Sequence, residues 1–389
     1  MATVMNLVKP DYGGGSLLNL SSSVCDFLGV KNQYPRLRGI DGVQGKRILL
    51  LLIDGLGYAH LRRYCSNCEE AKWLNNTIEL TSVFPSVTST VLTTLSMGVP
   101  PGVHGVLGTV MYVKEAGSLV NTLTMGLMPD GKRGELKDLG YDPRVIFYGG
   151  STIFEEAKLN GYNSMVIIPK GLSGGLSDLI YRGAEVKEYV SIYDALVLAS
   201  RALENNTLVY VYVSTLDSIQ HEYGPESEEY RVALIELLNT LGRLIRHLPQ
   251  STTIMLTADH GQVQVGQGDV VNLRIMTKLL DSLSVAPYGE PRALQLKLSD
   301  KSLEGEVKNT LSSIGRRLLI YNSSEVEELL GGTTNYVKQR MGDLWAIPLD
   351  TTALIYLYKL NDDKVAKFKG HHAGLLEHEM KVPLSIINL

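Results

Sequence analysis

Acidic and imidazole side chains recur at metal-ligand spacing along the chain of 389 residues. Asp217 and His221 are four residues apart, which places both side chains on one face of a helical turn. Asp259 and His260 are adjacent, and Asp54 stands far upstream in the segment LLIDG. Mixed carboxylate and imidazole ligation suits zinc, and also manganese or iron. These residue types therefore favour a site for divalent metal ions.

A pair of histidines near the C-terminus, His371 and His372, lies in a glycine-rich segment and extends this set. Each member alone has a simpler interpretation, since an aspartate that follows a strand often caps the next helix. A single histidine is likewise more often hydrogen-bonded or exposed than bound to a metal. The argument for a site rests on the whole set of carboxylates and imidazoles.

Hydroxyl side chains are concentrated in the segment FPSVTST, residues 84–90, which precedes a helical pattern. A hydroxyl at a helix N-terminus lies beside free N–H groups, which stabilise an alkoxide and bind phosphate oxygens. The alternative is a helix cap without a chemical role. A neighbouring metal ion would favour the nucleophile, because coordination lowers the pKa of a hydroxyl.

Short apolar runs alternate with amphipathic patterns, which predicts an α/β fold with a doubly wound, mainly parallel sheet. The apolar runs indicate buried strands at residues 47–53, 164–168, 208–213 and 253–256. The amphipathic stretches indicate helices at residues 16–28, 89–96, 151–160 and 226–247. Three of the strands run into the aspartates described above. Because ligands bind at the carboxyl ends of parallel strands, these aspartates should converge on one rim of the sheet.

The pattern changes between residues 270 and 352, where alternating, helical and Gly-Gly segments indicate a small α+β insert. We therefore expect a core of residues 1–269 and 353–389 that carries the metal-ligand candidates, with a strand at 353–358 returning to it. Because the insert lies between His260 and His372, both of its ends must return near the site. We hypothesise that the insert caps the substrate pocket, and a peripheral insertion is the alternative.

Composition limits the partners of the protein. The net charge is −4, so no basic field is present to hold a nucleic-acid duplex or an anionic membrane. The longest apolar run, residues 48–53, is too short to span a bilayer, and the first residues lack the apolar segment of a signal peptide. These features predict a cytoplasmic protein. The three cysteines, Cys25, Cys65 and Cys68, cannot form a disulfide framework, and the oligomeric state stays open.

The motifs that carry these residues resemble, in order and over nearly the whole chain, those of the type I phosphodiesterase/nucleotide pyrophosphatase family of the alkaline phosphatase superfamily. The matching segments are LLIDGLGY, FPSVTST, PPGVHGVLG, LDSIQHEYGP, TADHGQ and HHAGLLEHEMKVPL. The resemblance implies an alkaline-phosphatase-like fold and two divalent metal ions, zinc with manganese as the alternative. The implied ligands are Asp217, His221 and His372 for the first ion, and Asp54, Asp259 and His260 for the second.

The resemblance also implies that Thr88 is the nucleophile, with Ser89 and Thr90 as the other candidates, and that a phosphothreonine intermediate forms. Family members carry an asparagine shortly after the His-Gly motif, where its amide binds a phosphate oxygen. Here Thr109 stands near that position, and Asn121 could supply an amide from elsewhere. The nucleophile segment has no arginine to hold a phosphate monoester, which favours a diester.

The implied function is metal-dependent hydrolysis of a phosphodiester or pyrophosphate bond in a small molecule, nucleotides included. The alternatives within the superfamily are a phosphomonoesterase, a phosphonate hydrolase and a phosphomutase. An alternative from another class is a partner-binding module with a vestigial metal site. The complete set of ligands disfavours that last interpretation, because a vestigial site would be expected to have lost some of them.

Overall fold

The computed structural model describes residues 6–40, 44–65, 69–74, 76–361 and 363–389. The strands are β1 Arg47–Ile53, β2 Ile78–Thr81, β3 Val110–Val113, β4 Ser118–Asn121, β5 Gly126–Leu127, β6 Ser164–Pro169, β7 Glu185–Tyr189, β8 Leu208–Val213, β9 Thr252–Thr257, β10 Val263–Gln264, β11 Val270–Asn272, β12 Tyr288–Glu290, β13 Ala293–Leu296, β14 Leu318–Asn322, β15 Leu344–Pro348, β16 Ala353–Ile355, β17 Gly370–His371 and β18 Lys381–Asn388. The α-helices are α1 Leu17–Phe27, α2 Tyr58–Cys65, α3 Thr88–Met97, α4 Pro101–His104, α5 Glu135–Asp138, α6 Pro143–Ile146, α7 Ile153–Leu159, α8 Leu176–Ile180, α9 Ile192–Ala202, α10 Thr215–Tyr223, α11 Glu228–Ile245, α12 Thr277–Asp281, α13 Glu304–Ser312, α14 Asn335–Lys338, α15 Lys364–Lys367 and α16 Glu377–Met380.

Seven strands form the central sheet, in the order β2-β18-β9-β1-β8-β6-β7. The five strands from β9 to β7 are parallel, whereas β18 and β2 are antiparallel to their neighbours at one edge. The residues of β1, β8 and β9 are buried almost throughout, which explains why their sequences are continuously apolar. All four strands predicted from the apolar runs are present, and the mainly parallel α/β fold is confirmed.

The longer helices pack in two groups around this sheet. Helices α1, α7 and α8 contact α3, and helices α2, α9 and α10 contact α11. Helix α9 also packs against β6, β7 and β8, and α2 packs against β18. Burial of both faces of the central strands requires cover of this kind on each side of the sheet.

A second seven-stranded sheet has the order β14-β15-β13-β12-β3-β4-β5, with antiparallel neighbours. Its first four strands come from the predicted insert, and the other three come from residues 110–127. The two parts join along β12 and β3, where Gly289 is opposite Val110. The boundaries of the insert stay a prediction, but its sheet is continuous with strands from outside it. The strand predicted at residues 353–358 is β16, which pairs with β11 in a separate two-stranded sheet.

The sequence predictions about membrane-spanning segments and cysteines can be compared with the structure. Within the described ranges, no helix is both long enough and apolar enough to cross a membrane. Cys25 and Cys65 are buried, and Cys68 lies outside the described residues.

Candidate metal centre and active site

The candidate metal ligands meet at the carboxyl end of the central sheet. Asp54 directly follows β1, and Asp259 and His260 follow β9. Helix α10, which follows β8, carries Asp217 and His221. Because β9, β1 and β8 are parallel neighbours, the segments that follow them lie on one rim. The fold thus brings these five side chains to one place, as their positions after the apolar runs predicted.

One group of possible ligands consists of Asp217, His221 and His372, whose ligand atoms lie within 4.8 Å of one another. His221 Nε2 is 3.4 Å from Asp217 Oδ1, and His372 Nε2 is 3.9 Å from the same oxygen. His221 Nδ1 donates to the Gly370 carbonyl at 2.8 Å, and His372 Nδ1 donates to the Ser86 carbonyl at 3.1 Å. These bonds leave each Nε2 with a lone pair that can bind a metal ion, as in many histidine-ligated sites.

A second group consists of Asp54, Asp217 and His260. His260 Nε2 is 3.4 Å from Asp54 Oδ1 and 3.4 Å from Asp259 Oδ2. The three residues predicted to bind the second ion therefore lie together. Asp217 also belongs to this group, so it stands between the two candidate positions.

Buried carboxylate oxygens without partners show that this set of side chains fits cations. Asp54 Oδ1 and Asp259 Oδ2 are buried and have no hydrogen-bond partner among the described residues. Buried carboxylates are unfavourable unless they are paired or bind metal ions. Burial and the charges of Asp217 and Asp259 raise the pKa of Asp54 well above its ordinary value. Bound cations would satisfy the free oxygens and reverse that effect.

The Thr88 hydroxyl lies beside the second group of ligands. Its Oγ1 is 3.2 Å from His260 Nε2 and 3.4 Å from Asp54 Oδ2. Thr88 begins α3, and the cap residue Val87 provides no side-chain hydrogen bond, so the helix N–H groups remain available to an anion. The alternative hydroxyls, those of Ser89 and Thr90, belong to fully buried residues. The structure therefore places Thr88, of the three candidates, at the ligand cluster.

The segment before α3 is fixed to the loop that carries His372. Ser86 and Ala373 form an antiparallel bridge, and Ser86 Oγ donates to the Gly374 carbonyl at 3.0 Å. His372 Nδ1 donates to the Ser86 carbonyl, although the two residues are 286 positions apart in the sequence. One short segment thus fixes the candidate nucleophile and a candidate metal ligand relative to each other. The other histidine of the pair, His371, lies in β17 and belongs to neither ligand group.

Two supporting residues were not identified from the sequence. The Tyr212 hydroxyl donates to Asp54 Oδ2, and Gln262 Nε2 donates to Asp217 Oδ1 at 2.6 Å. Tyr212 stands within the apolar run of β8, so its hydroxyl gave no separate signal. Gln262 is the last residue of the TADHGQ segment, and its place in that segment was the signal available. Both side chains orient a carboxylate that would bind metal.

Two cavities meet at Thr88. The first, which we call the insert-side cavity, has a volume of about 390 Å³, and its lining includes Thr109, Asn121, Glu290, Tyr356, Tyr358 and Phe368. The second, which we call the helix-side cavity, has a volume of about 300 Å³, and its lining includes Leu92, Arg133, Ile168, Leu176, Tyr181 and Tyr212. Thr88, Leu123 and Asp217 line both cavities. The candidate nucleophile is therefore accessible from two sides.

The two residues predicted to bind substrate, Thr109 and Asn121, both line the insert-side cavity. Asn121 Oδ1 accepts the N–H groups of Leu123 and Thr124 at 3.0 and 3.2 Å. Its NH₂ group has no hydrogen-bond partner among the described residues and can donate to a phosphate oxygen. The Thr109 N–H donates to the Glu290 carboxylate, a residue that the sequence did not single out.

His104, in the His-Gly motif, is buried next to α3 and belongs to neither ligand group. Its Nδ1 accepts the Val106 N–H at 3.1 Å, so its proton resides on Nε2, which is 2.9 Å from Thr94 Oγ1. Burial lowers the pKa of His104 from 6.5 to about 3. The His104 imidazole is therefore neutral in the folded protein, and its hydrogen bonds fix the loop after α4.

We expect His104 to make the folded protein less stable in acid. Between pH 6.5 and pH 3 the unfolded chain binds a proton at His104 that the folded chain does not, so stability rises with pH across this window. From pH 7 to pH 5 the loss from this group should be about 2 kcal/mol. Urea unfolding of chelator-treated protein should show a flatter pH dependence for His104→Gln than for the unmodified protein.

The control for this prediction is His247→Gln, because His247 is exposed and its removal should leave the pH dependence unchanged. Equal slopes for His104→Gln and the unmodified protein would contradict a neutral, buried His104.

Comparisons with known proteins agree with this architecture. The sequence pattern of the family "Type I phosphodiesterase / nucleotide pyrophosphatase" matches residues 48–374. Murine ectonucleotide pyrophosphatase / phosphodiesterase 5 is 16% identical, with 88% of each chain covered and a TM-score of 0.66. The human protein of that name has a TM-score of 0.67 at the same identity and coverage. Phosphonoacetate hydrolase from Sinorhizobium meliloti 1021 is 17% identical, with 88% of this chain and 90% of that chain covered and a TM-score of 0.65. The comparison with curated proteins gave no match.

The family match, together with a mainly parallel sheet that gathers carboxylates and histidines at its carboxyl end, places the protein among the hydrolases of the alkaline phosphatase superfamily. Within that class, the chain belongs to the type I phosphodiesterase / nucleotide pyrophosphatase family, because the match covers most of its length.

Proposed function

We propose that the protein is a metal-dependent phosphodiesterase that acts on a small molecule, with Thr88 as its nucleophile. The meeting of two cavities at Thr88 carries this proposal. A phosphodiester or a substituted pyrophosphate has a group on each side of the phosphorus atom, whereas a monoester has only one. Volumes of about 390 and 300 Å³ suit groups of the size found in small metabolites.

The charges around the cavities favour the single negative charge of a diester. Among the described lining residues, the only arginine is Arg133 and the only lysine is Lys359. The Arg133 guanidinium donates to the Leu123 carbonyl at 3.0 Å, and Lys359 pairs with Asp130. A dianionic monoester is usually held by a cationic side chain that forms bidentate bonds with the phosphate. Arg133 and Lys359 are instead bonded to other groups of the protein, so neither is arranged to hold a monoester in this way.

The proposed reaction has two displacements at phosphorus. In the first, the Thr88 hydroxyl loses its proton to solvent, Oγ1 bonds to phosphorus, and the bond to the leaving oxygen breaks. The leaving group takes a proton from water. In the second, water attacks phosphorus, the bond from phosphorus to Oγ1 breaks, and Thr88 regains a proton. The intermediate is a phosphothreonine that still carries the second substituent of the diester.

The side chains around Thr88 would hold two divalent cations, zinc with manganese as the alternative. Such ions supply positive charge that lowers the pKa of a hydroxyl and stabilises phosphate oxygens. The proposed ligands are Asp217, His221 and His372 for one ion, and Asp54, Asp259 and His260 for the other. The free N–H groups at the start of α3 and the amide of Asn121 would add hydrogen bonds to the phosphate.

The first test compares a diester with a monoester. Purified protein with zinc or manganese should hydrolyse bis-p-nitrophenyl phosphate faster than p-nitrophenyl phosphate, because only the diester fills both cavities. A chelator should abolish both activities, and restored metal should recover them. Release of p-nitrophenolate at several substrate concentrations gives kcat/KM for each ester.

Other outcomes would redirect the assignment. A preference for the monoester would move the function to a phosphatase or phosphomutase, and turnover of phosphonoacetate alone would indicate a phosphonate hydrolase. Because one murine relative is in complex with AMP, a nucleotide diester belongs in the same panel. A protein that binds no divalent metal and cleaves none of these compounds would support the partner-binding alternative. The cytoplasmic location stays a prediction of the sequence.

A further inference from the structure

The insert contributes a carboxylate to the wall of the insert-side cavity. Strand β12 pairs with β3 at Gly289 and Val110, which sets Glu290 beside Thr109. The Thr109 N–H donates to Glu290 Oε1. Gly108 permits this close approach, since a Cβ there would lie 3.2 Å from the Gly289 Cα. One oxygen of Glu290 is therefore fixed by the backbone of a strand from outside the insert.

The carboxylate of Glu290 is not neutralised by a basic side chain among the described residues. Among the described residues, no lysine or arginine pairs with Glu290, whose carboxylate interacts with the backbone and side chain of Thr109 and with the charge of His221. Lys359, the only lysine or arginine that lines this cavity in the described part of the chain, pairs with Asp130 instead. Burial raises the pKa of Glu290 to about 7, so the carboxylate is ionised in mildly alkaline solution. The wall thus carries a carboxylate that no lysine or arginine of the described lining neutralises, next to the ligand group of Asp217, His221 and His372 that would hold a metal ion.

Aromatic rings line the same cavity. Tyr356 and Tyr358 form an edge-to-face pair with ring centroids 5.2 Å apart, and the Tyr358 hydroxyl donates to the Pro287 carbonyl at 2.7 Å. Phe368 stacks on His221 at 4.6 Å. Aromatic faces beside a carboxylate attract organic cations and repel anions. The cavity therefore combines two features that favour a positively charged group.

The leaving group of the proposed reaction should enter this cavity. Thr88 Oγ1 lies next to Asp54 and His260, and an in-line displacement expels the leaving oxygen on the opposite side of phosphorus. The ligand group of Asp217, His221 and His372 lines the insert-side cavity, and Asp54 lines the helix-side cavity. The insert-side cavity is thus lined by His221 and His372 of the other ligand group, beside which a leaving oxygen opposite Thr88 Oγ1 would depart.

We propose that Glu290 determines leaving-group specificity, so that the enzyme releases an alcohol that carries a protonated amine and discriminates against leaving groups that carry a negative charge at the same position. This inference rests on the proposed phosphodiesterase function and narrows it. The ammonium group would donate to the Glu290 carboxylate while its carbon chain contacts Tyr356 and Tyr358.

The test uses three methyl aryl phosphates that differ only at the para position of the leaving phenol: aminomethyl, methyl and carboxylate. At pH 8.5, with metal added, kcat/KM for the ammonium ester should exceed that for the carboxylate ester at least about tenfold, a difference of about 1.4 kcal/mol. Glu290→Gln should reduce that ratio to within about threefold of one. A ratio of two substrates in one preparation does not depend on the fraction of correctly folded protein.

Glu204→Gln is the matched control, because Glu204 is exposed on the loop after α9 and should leave the ratio unchanged. Unmodified protein that prefers the carboxylate ester, or Glu290→Gln protein that keeps the original ratio, would overturn the inference. Absence of turnover on all three esters would count against the proposed function instead. Calorimetric binding of 4-(aminomethyl)phenol and 4-hydroxybenzoate to metal-loaded protein then decides the role of Glu290. The proposal predicts that the unmodified protein binds the amine more tightly and that Glu290→Gln loses this preference.

Discussion

Replacement of Thr88 by alanine is expected to lower kcat for a phosphodiester by at least about 10³-fold, because removal of a nucleophile takes away the whole covalent route. The Thr88 hydroxyl lies 3.2 Å from His260 Nε2 and 3.4 Å from Asp54 Oδ2, whereas the hydroxyls of Ser89 and Thr90 have no hydrogen-bond partner among the described residues. Thr88→Ser should recover part of the activity. The measurement is single-turnover cleavage of bis-p-nitrophenyl phosphate with saturating metal.

Ser89→Ala and Thr90→Ala are the matched controls for this prediction. Both side chains are buried, and both were candidate nucleophiles in the same segment. We expect these variants to keep most of the activity if they fold. Mass spectrometry of acid-quenched protein should detect an adduct on Thr88 that retains one p-nitrophenyl group. An active Thr88→Ala variant, or an adduct on Ser89 or Thr90, would show that another hydroxyl attacks.

Replacement of Arg292 by leucine is expected to destabilise the protein by about 3–5 kcal/mol, because it leaves a buried carboxylate without its partner. Arg292 and Glu379 are fully buried and form two parallel bonds of 2.6 and 2.9 Å. The remaining Arg292 nitrogen donates to the carbonyls of Asp350 and Thr352 at 2.7 Å each. The pair joins the second sheet to the C-terminal part of the core.

The same pair also supports the loop after His372. Glu379 accepts the N–H groups of Gly374 at 2.8 Å and Leu376 at 3.1 Å, two and four positions beyond that candidate ligand. Arg292→Leu should therefore weaken metal binding as well as folding. Urea unfolding with and without metal measures both effects.

The control is Arg316→Leu, which breaks the partly exposed ion pair between Arg316 and Asp269 and should cost about 0–1 kcal/mol. Equal losses for the two variants would show that burial of the Arg292–Glu379 pair has no special effect. The double variant Arg292→Leu, Glu379→Leu should recover part of the stability, since no lone charge then remains buried.

The parts of the fold that could be predicted from the sequence are those that have a local sequence pattern. The strands β1, β6, β8 and β9 were predictable because strands buried on both faces must be apolar throughout. Their arrangement in parallel brings Asp54, Asp217 and Asp259 to one rim, and this follows from topology without knowledge of side-chain contacts.

The parts that were not predicted depend on contacts between distant segments. No local sequence pattern predicts that β3 pairs with β12, because each strand is short and its pattern is compatible with many partner strands. The Glu290 carboxylate meets the Thr109 N–H across 181 positions of sequence, and Tyr212 meets Asp54 across 158. A glutamate in GEPRA and a tyrosine in an apolar run look ordinary until their neighbours are known.

The sequence by itself determined the types of the chemical groups, their order and the strand ends that carry them, because hydrophobic periodicity and motif spacing are local properties of the chain. The family resemblance already implied His372 as a ligand, but only the tertiary structure decided that Asp217 stands between two ligand groups and that two cavities open on Thr88. These features depend on the directions in which side chains point after distant segments have packed. No local pattern specifies those directions, since they are fixed by the pairing of backbones far apart in the chain.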